Sequence, residues 1–264
     1  MKSKRYAAIV CAALLPTTVY AESAVLSFSE DWSHDLTFYL FLPTSTDGTS
    51  TVAGQSVPID LDFSDALDLL DFGISGRYEA WQGDFGIIVD ANYLDLGHTQ
   101  TIPIGMGNAT ADVDVTQYWI GLLGAYRVLG GTDAAGRKRS FDLSAGVRYN
   151  SLKQTVAISG GPGPGANLGG TEAWWEPVIG ARYAWQINDR WTGGASIDAG
   201  GFGVNGDDLQ WSATLGADYS LGDRGSIKLG LRYYSIDYST TRSDGEFAYD
   251  VDQFGPFIGY TLSF

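Results

Sequence analysis

His98 and Asp95, three residues apart, are of the types a proton-transfer pair needs. A nucleophile should stand within hydrogen-bond reach of such a base. No serine is tied by spacing to His98 or to His34, the other histidine, so enzymatic activity is the minor expectation. The run 160–170, Gly-Gly-Pro-Gly-Pro-Gly-Ala-Asn-Leu-Gly-Gly, lacks the Lys-Ser or Lys-Thr and the following helix of a phosphate cradle. No pattern asks for a cofactor, and none is expected. Carboxylates gather at Asp60, Asp62, Asp65 and Asp68, at Asp112 and Asp114, at Asp207 and Asp208, and at Asp244, Glu246, Asp250 and Asp252. Calcium or magnesium takes such oxygens, but no run holds a complete ligand loop, so a solvated acidic surface is favoured and no metal site is assigned. A larger constellation is electrostatic. Asp71, Arg77, Glu79, Asp90, Arg127, Asp142, Arg148, Glu176, Arg182, Asp198, Asp218, Lys228 and Arg232 are seven acids and six bases on the polar side of alternating segments. Charges so nearly balanced can satisfy one another in a confined interior or line a narrow hydrophilic path.

The elements that hold these groups begin after a leader. Lys2, Lys4 and Arg5 precede the apolar run 7–15, and Val19-Tyr20-Ala21 offers a cleavage site, so 1–21 reads as a secretory signal peptide. Cys11, the only cysteine, leaves with it, which excludes disulfides and thiolate metal sites from 22–264. There 31 acidic side chains face 13 basic ones, a charge of about −18 that opposes nucleic-acid binding.

After the leader nothing approaches the ~20 apolar residues of a spanning helix. Period two recurs instead. The segments 36–42, 71–81, 84–96, 113–128, 140–152, 173–187, 191–201, 208–221, 225–239 and 249–264 alternate hydrophobic with small or polar positions. Phe141, Leu143, Ala145, Val147 and Tyr149, for instance, oppose Asp142, Ser144, Arg148 and Asn150. Connections at 82–83, 188–190 and 222–225 are short, with 130–139 the exception, whereas 43–70, 97–112, 153–172, 202–207 and 240–248 are mostly longer. The fold expected is all-β: a single closed antiparallel transmembrane β-barrel over 22–264, with short periplasmic turns, longer extracellular loops and both termini periplasmic. Ten strands are favoured, with eight or twelve as alternatives, twelve if parts of 49–59 and 99–104 pair at the outer mouth.

A soluble sandwich also shows period two. Mid-strand positions on the apolar side, such as Ile74, Ile87, Leu122, Ile179, Leu215 and Ile258, however, carry no charge. Trp81, Trp119, Trp174, Trp175, Trp185, Trp191, Tyr149, Tyr183, Tyr219, Tyr233 and Tyr260 fall toward strand ends, as two interfacial girdles would. In the first long connection Ser64 can cap a short helix whose Phe63, Leu67 and Leu70 share a face, either a lid across the mouth or a surface turn.

The leader, the ten amphipathic segments, the aromatic girdles and the ending Gly255-Pro256-Phe257-Ile258-Gly259-Tyr260-Thr261-Leu262-Ser263-Phe264 together resemble the small outer-membrane β-barrel proteins of Gram-negative bacteria, OmpA-like and porin-like barrels among them. The resemblance implies outer-membrane localisation, and Tyr260, Leu262 and Phe264 look like the signal read by the barrel-assembly machinery. It covers nearly the whole chain after the leader and is specific for architecture rather than activity. The outer-membrane proteases of similar form carry paired aspartates and an Asp-His pair, a motif without a match at these positions. The expected function is a structural or narrow pore-like role, with passive passage of ions or small solutes through the charged lumen. Alternatives are an enzyme acting at the extracellular mouth and a surface adhesin or ligand-binding barrel. Expected partners are outer-membrane lipid and lipopolysaccharide, with bridging by divalent cations at the acidic loops as the lesser alternative to a solvated rim.

Overall fold

The computed structural model describes residues 26–104, 107–160, 165–222 and 224–264. The signal peptide read at 1–21 and residues 161–164 of the glycine-rich connection lie outside the described residues. In chain order the elements are β1 (Ser33–Phe41), β2 (Ser45–Val52), β3 (Gln55–Asp62), α1 (Phe63–Leu69), β4 (Leu70–Gln82), β5 (Phe85–Ile104), β6 (Gly107–Thr132), β7 (Lys138–Ser159), β8 (Ala166–Gln186), β9 (Trp191–Val204), β10 (Asp207–Ser220), β11 (Gly225–Arg242) and β12 (Gly245–Ser263). β1 pairs with β4, each later strand pairs antiparallel with the next, and β12 returns to β1. Ten strands thus form a closed ring, and β2 with β3 is a hairpin added along β12.

An even ring brings its two ends together. His34 and Phe264 exchange backbone hydrogen bonds of 3.0 and 2.9 Å, and their rings stack at 5.4 Å. Ser263 Oγ donates to Asp35 at 2.6 Å beside them.

The ten alternating segments are the ten ring strands, but the expected loops at the end away from the termini are largely strand. The ladders run on to Ile104↔Gly107, Ile158↔Ala166 and Arg242↔Gly245. Thr99, Thr101, Thr110, Thr155, Thr171, Thr240 and Thr241 populate these extensions, and β-branched residues suit a strand whose two faces meet water. β6 reaches 26 residues, far beyond the ~9–11 that cross a bilayer. The connection 43–70 holds β2, β3 and α1. Ala53 and Gly54 join the hairpin with φ of 52° and 74°, the left-handed pair that a tight two-residue turn requires.

Pleating decides what faces outward. Phe38, Leu40, Ile74, Ile87, Ile120, Leu122, Leu143, Ile179, Ile197, Leu215, Leu229 and Ile258 are exposed on the outside, whereas Glu79, Arg127, Asp142, Arg148, Glu176 and Gln210 are buried inside. A closed ring that is apolar outside and charged inside suits lipid as its surrounding solvent. No helix among the described residues is long and apolar enough to cross a membrane.

Candidate functional site

At the end bearing the termini, charge fills the ring. Arg127 donates through Nε to Asp142 at 2.9 Å and through Nη1 to the Ser27 carbonyl at 2.5 Å, and its guanidinium lies between the Trp81 and Phe28 rings. Leu26 and Ser27 are buried there, so the segment ahead of β1 packs into this end. Arg182 bridges Asp142 at 3.0 Å and Glu79 at 2.8 Å, and Arg77 bridges Glu79 at 2.6 Å and Asp90 at 2.9 Å. Tyr39 donates to Asp90 at 3.0 Å. Arg148 next joins Asp198 at 2.5 Å and Glu176 at 3.3 Å. A cavity of only about 70 Å³ remains among Arg77, Asp90, Arg148, Asp198 and Arg232.

Four members of the expected network stand apart from it. Lys228 and Asp218 form a separate pair at 2.7 Å. Asp71 is exposed at the far end of β4, where the β4–β5 register slips between Leu70 and Phe72. Arg232 lies inside the ring, and no acid stands within ion-pair distance of it among the described residues.

The aromatic assignment also needs correction. Trp175, Tyr183 and Tyr260 are exposed on the outer face, and Trp185, Trp191, Tyr149, Tyr219 and Tyr233 join aromatic pairs at 4.8–5.5 Å. Trp81, Trp119 and Trp174 instead point inward, at 1, 6 and 3% exposure. They share the pleat phase of Glu79, Arg127 and Glu176, and phase overrides position along a strand. Gly86, opposite Trp81 in register, makes room for it: a Cβ there would lie 2.7 Å from the indole.

Toward the other end the ring is closed on one side. β9 and β10 are short, and above them β7–β8 packs directly on β11–β12. Trp174 stacks on Tyr238 at 3.7 Å, Arg242 pairs with Glu172, and the Gly169 amide donates to Asp244 at 3.1 Å. Leu152, Ile236, Phe247 and Val251 complete this apolar plug.

The opposite side is open. The β1–β4 ladder ends at Tyr39↔Ser75. Beyond that rung Leu40 and Phe41 pair with β12, the Leu42 and Thr44 amides donate to Pro256 and Phe254, and Gly73 and Ile74 pair with β5. The seam opens onto a cavity of about 900 Å³. Leu40 and Ile74 of the lipid face line it, as do Phe41, Trp119 and Tyr234 of the lumen and Val57, Ile59, Phe63 and Leu67 of the hairpin and helix.

Helix α1 therefore borders the cavity, and its N-cap is Asp62 rather than Ser64. Asp62 Oδ1 accepts from the Ser64 hydroxyl at 2.6 Å and from the Ser64 and Asp65 amides at 2.7 and 3.0 Å. Ser64, displaced into the first turn, supports the cap. The Ser64 hydroxyl and the two amides hold the Asp62 carboxyl below the usual carboxylate range. A depressed folded pKa contributes stability above the unfolded value of about 3.9 that is lost as pH falls through the folded one. Amide protection over 63–67 is thus expected to hold from pH 7 down to about 4 and then collapse, and Asp62→Ala to lower it about fivefold at pH 7. Hydrogen exchange checks both, and protection that ignores pH and substitution alike contradicts this role for Asp62.

The acids, imidazole and guanidinium at the cavity are Asp60, Asp114, His98 and Arg232. The expected His98–Asp95 pair does not form. Residues three apart on a strand face opposite ways; His98 lines the cavity, and Asp95 accepts from Thr116 Oγ1 at 2.8 Å. His34 lies at the terminal seam, its Nδ1 2.8 Å from the Tyr78 hydroxyl. Among the described residues no three His, Cys, Asp or Glu side chains come together as a metal set.

A closed, even, antiparallel ring with a charged interior, a clean apolar exterior and outward aromatics decides the class. This is a small outer-membrane-type β-barrel. No protein-family model and no curated protein matches the barrel. Among solved structures it is similar to the outer membrane protease OmpT from Escherichia coli, with 13% identity over 90% of this chain and 99% of that one and a TM-score of 0.49. It is also similar to the translocator domain of the autotransporter NalP from Neisseria meningitidis, at 15% identity over 88% of each chain and a TM-score of 0.41. Ail, the attachment invasion locus protein of Yersinia pestis, shows 12% identity over 88% of this chain and 98% of that one, with a TM-score of 0.36. Identities of this size say nothing about activity.

Proposed function

We propose that this barrel stands in the Gram-negative outer membrane with both termini in the periplasm, and that its outer half binds an apolar, chain-like molecule exchanged with the outer leaflet. One observation carries the reading: side chains of the lipid face and of the lumen line a single cavity across an unpaired stretch of wall. Its volume of about 900 Å³ falls in the range of small-molecule sites, and its exposed wall surface is chiefly apolar. Binding is tested with the refolded barrel in lipid nanodiscs, measuring uptake of a labelled medium-chain alcohol over empty discs. Saturable uptake supports the reading, and uptake equal to the empty discs overturns it.

A second reading is the narrow pore, favoured by the small cavity inside the ring of charges. The Arg182, Arg148 and Arg127 bridges and the buried segment ahead of β1 stand across that path. The purified barrel in a planar bilayer is therefore expected to be electrically silent. Reproducible steps altered by Arg148→Gln would instead establish the pore. Contact of the acidic rim with lipopolysaccharide through divalent cations, and recognition of Tyr260, Leu262 and Phe264 during assembly, belong to the same proposal; all three side chains are exposed on the outer face.

A further inference from the structure

We infer that the cavity's ligand is a single-chain amphiphile with one anionic head, a carboxylate, which Arg232 holds at the cavity floor while the chain occupies the apolar space toward the β1–β4 seam. The inference rests on the cavity reading above and adds the chemical class of what fills it.

Arg232 is the exception among the lumenal arginines. Arg77, Arg127, Arg148 and Arg182 each reach at least one carboxylate at 3.3 Å or less. Arg232 Nε is buried with no hydrogen-bond partner, and its guanidinium is flanked by the Phe41 and Tyr234 rings, at 5.7 and 5.4 Å. Asp198, which shares the small inner cavity with it, is engaged by Arg148 and by the Ser212 hydroxyl, each at 2.5 Å. Arg232 as a whole is half-buried, but its Nε is shut off from water without an acceptor, and an unmet donor of that kind is costly. The ring contacts offset part of that cost, but they satisfy none of the guanidinium's in-plane donors.

Those donors form a fork that matches a carboxylate. Arg232 lines the outer cavity as well as the inner one, so an anion entering from the seam meets it at the floor. One unpaired positive charge balances one negative charge, which favours a monoanion. The other acids at the cavity strengthen the choice of route. Asp60 and Asp114 border it, and a negative head arriving from the aqueous mouth would pass them, whereas one arriving through the seam passes Leu40 and Ile74.

The test compares undecanoate with undecan-1-ol, equal in chain and different in head, binding to the refolded barrel in nanodiscs of zwitterionic lipid. The wild type is expected to bind the acid at least tenfold more tightly than the alcohol. Arg232→Gln should remove that preference, Arg232→Lys should keep part of it, and unchanged urea unfolding of both variants shows that they fold. Equal affinities for acid and alcohol in the wild type, or a preference that survives Arg232→Gln, overturn the inference and leave the cavity reading standing. Failure of both ligands to bind overturns the two together.

Discussion

Asp142→Ala is expected to lower the barrel's unfolding free energy by about 3–5 kcal/mol, the cost of leaving buried charge without its partner. Asp142 accepts from Arg127 at 2.9 Å and from Arg182 at 3.0 Å, and Arg127 and Asp142 are 0 and 4% exposed. Removing the carboxylate takes a buried ion-pair partner from each guanidinium. Arg182 keeps Glu79, and Arg127 keeps the Ser27 carbonyl and the faces of Trp81 and Phe28. The contrast is Asp218→Ala. Its pair with Lys228 is 23 and 30% exposed, and its loss should cost about 0–1 kcal/mol. Urea unfolding of the vesicle-inserted barrel, followed by tryptophan fluorescence, measures both. Equal shifts in the two variants would show that water screens the Asp142 cluster as fully as the Lys228 pair.

Leu94→Trp is expected to weaken binding of any chain ligand in the outer cavity more than tenfold. Leu94 lines the cavity from β5, and its Cδ1 approaches Gly73, beside the end of the β1–β4 ladder. An indole there occupies the space the chain needs, and the cavity of about 900 Å³ accommodates it without forcing the wall apart. Unfolding should therefore change little, and undecanol uptake should fall. Unaltered uptake would place the ligand elsewhere on the barrel. The same substitution separates cavity binding from unspecific partition of the probe into lipid, which it cannot affect.

The ring was legible in the sequence because lipid on one side of a strand and a polar interior on the other impose strict alternation. Phe141 to Asn150 shows both faces in ten residues, and β7 places Asp142, Arg148 and Asn150 inside as that pattern requires. Trp81, Trp119 and Trp174 were legible in principle, since their pleat phase is that of the lumen. Their closeness to strand ends obscured it. The cavity was not legible. It depends on where β1 and β4 stop pairing, and inter-strand register is fixed by contacts between residues about 40 apart, such as Tyr39 and Ser75. The β2–β3 hairpin carried a weak signal, Gly54 within a threonine-rich stretch, and its docking along β12 carried none. Arg232 resembled the other lumenal arginines until the positions of the acids were known.

The clasp of β1 on β12 makes folding of this barrel an all-or-none matter. The Ser263–Asp35 hydrogen bond spans 228 positions, and the ladder it belongs to exists only when the last strand has arrived. Until then β1 and β11 each present an open row of amides and carbonyls, the template that invites pairing with a foreign strand. Contacts of such long range form slowly. Insertion should therefore be governed by delivery of the C-terminal hairpin, and a chain stalled before that step is an aggregation hazard rather than a smaller barrel.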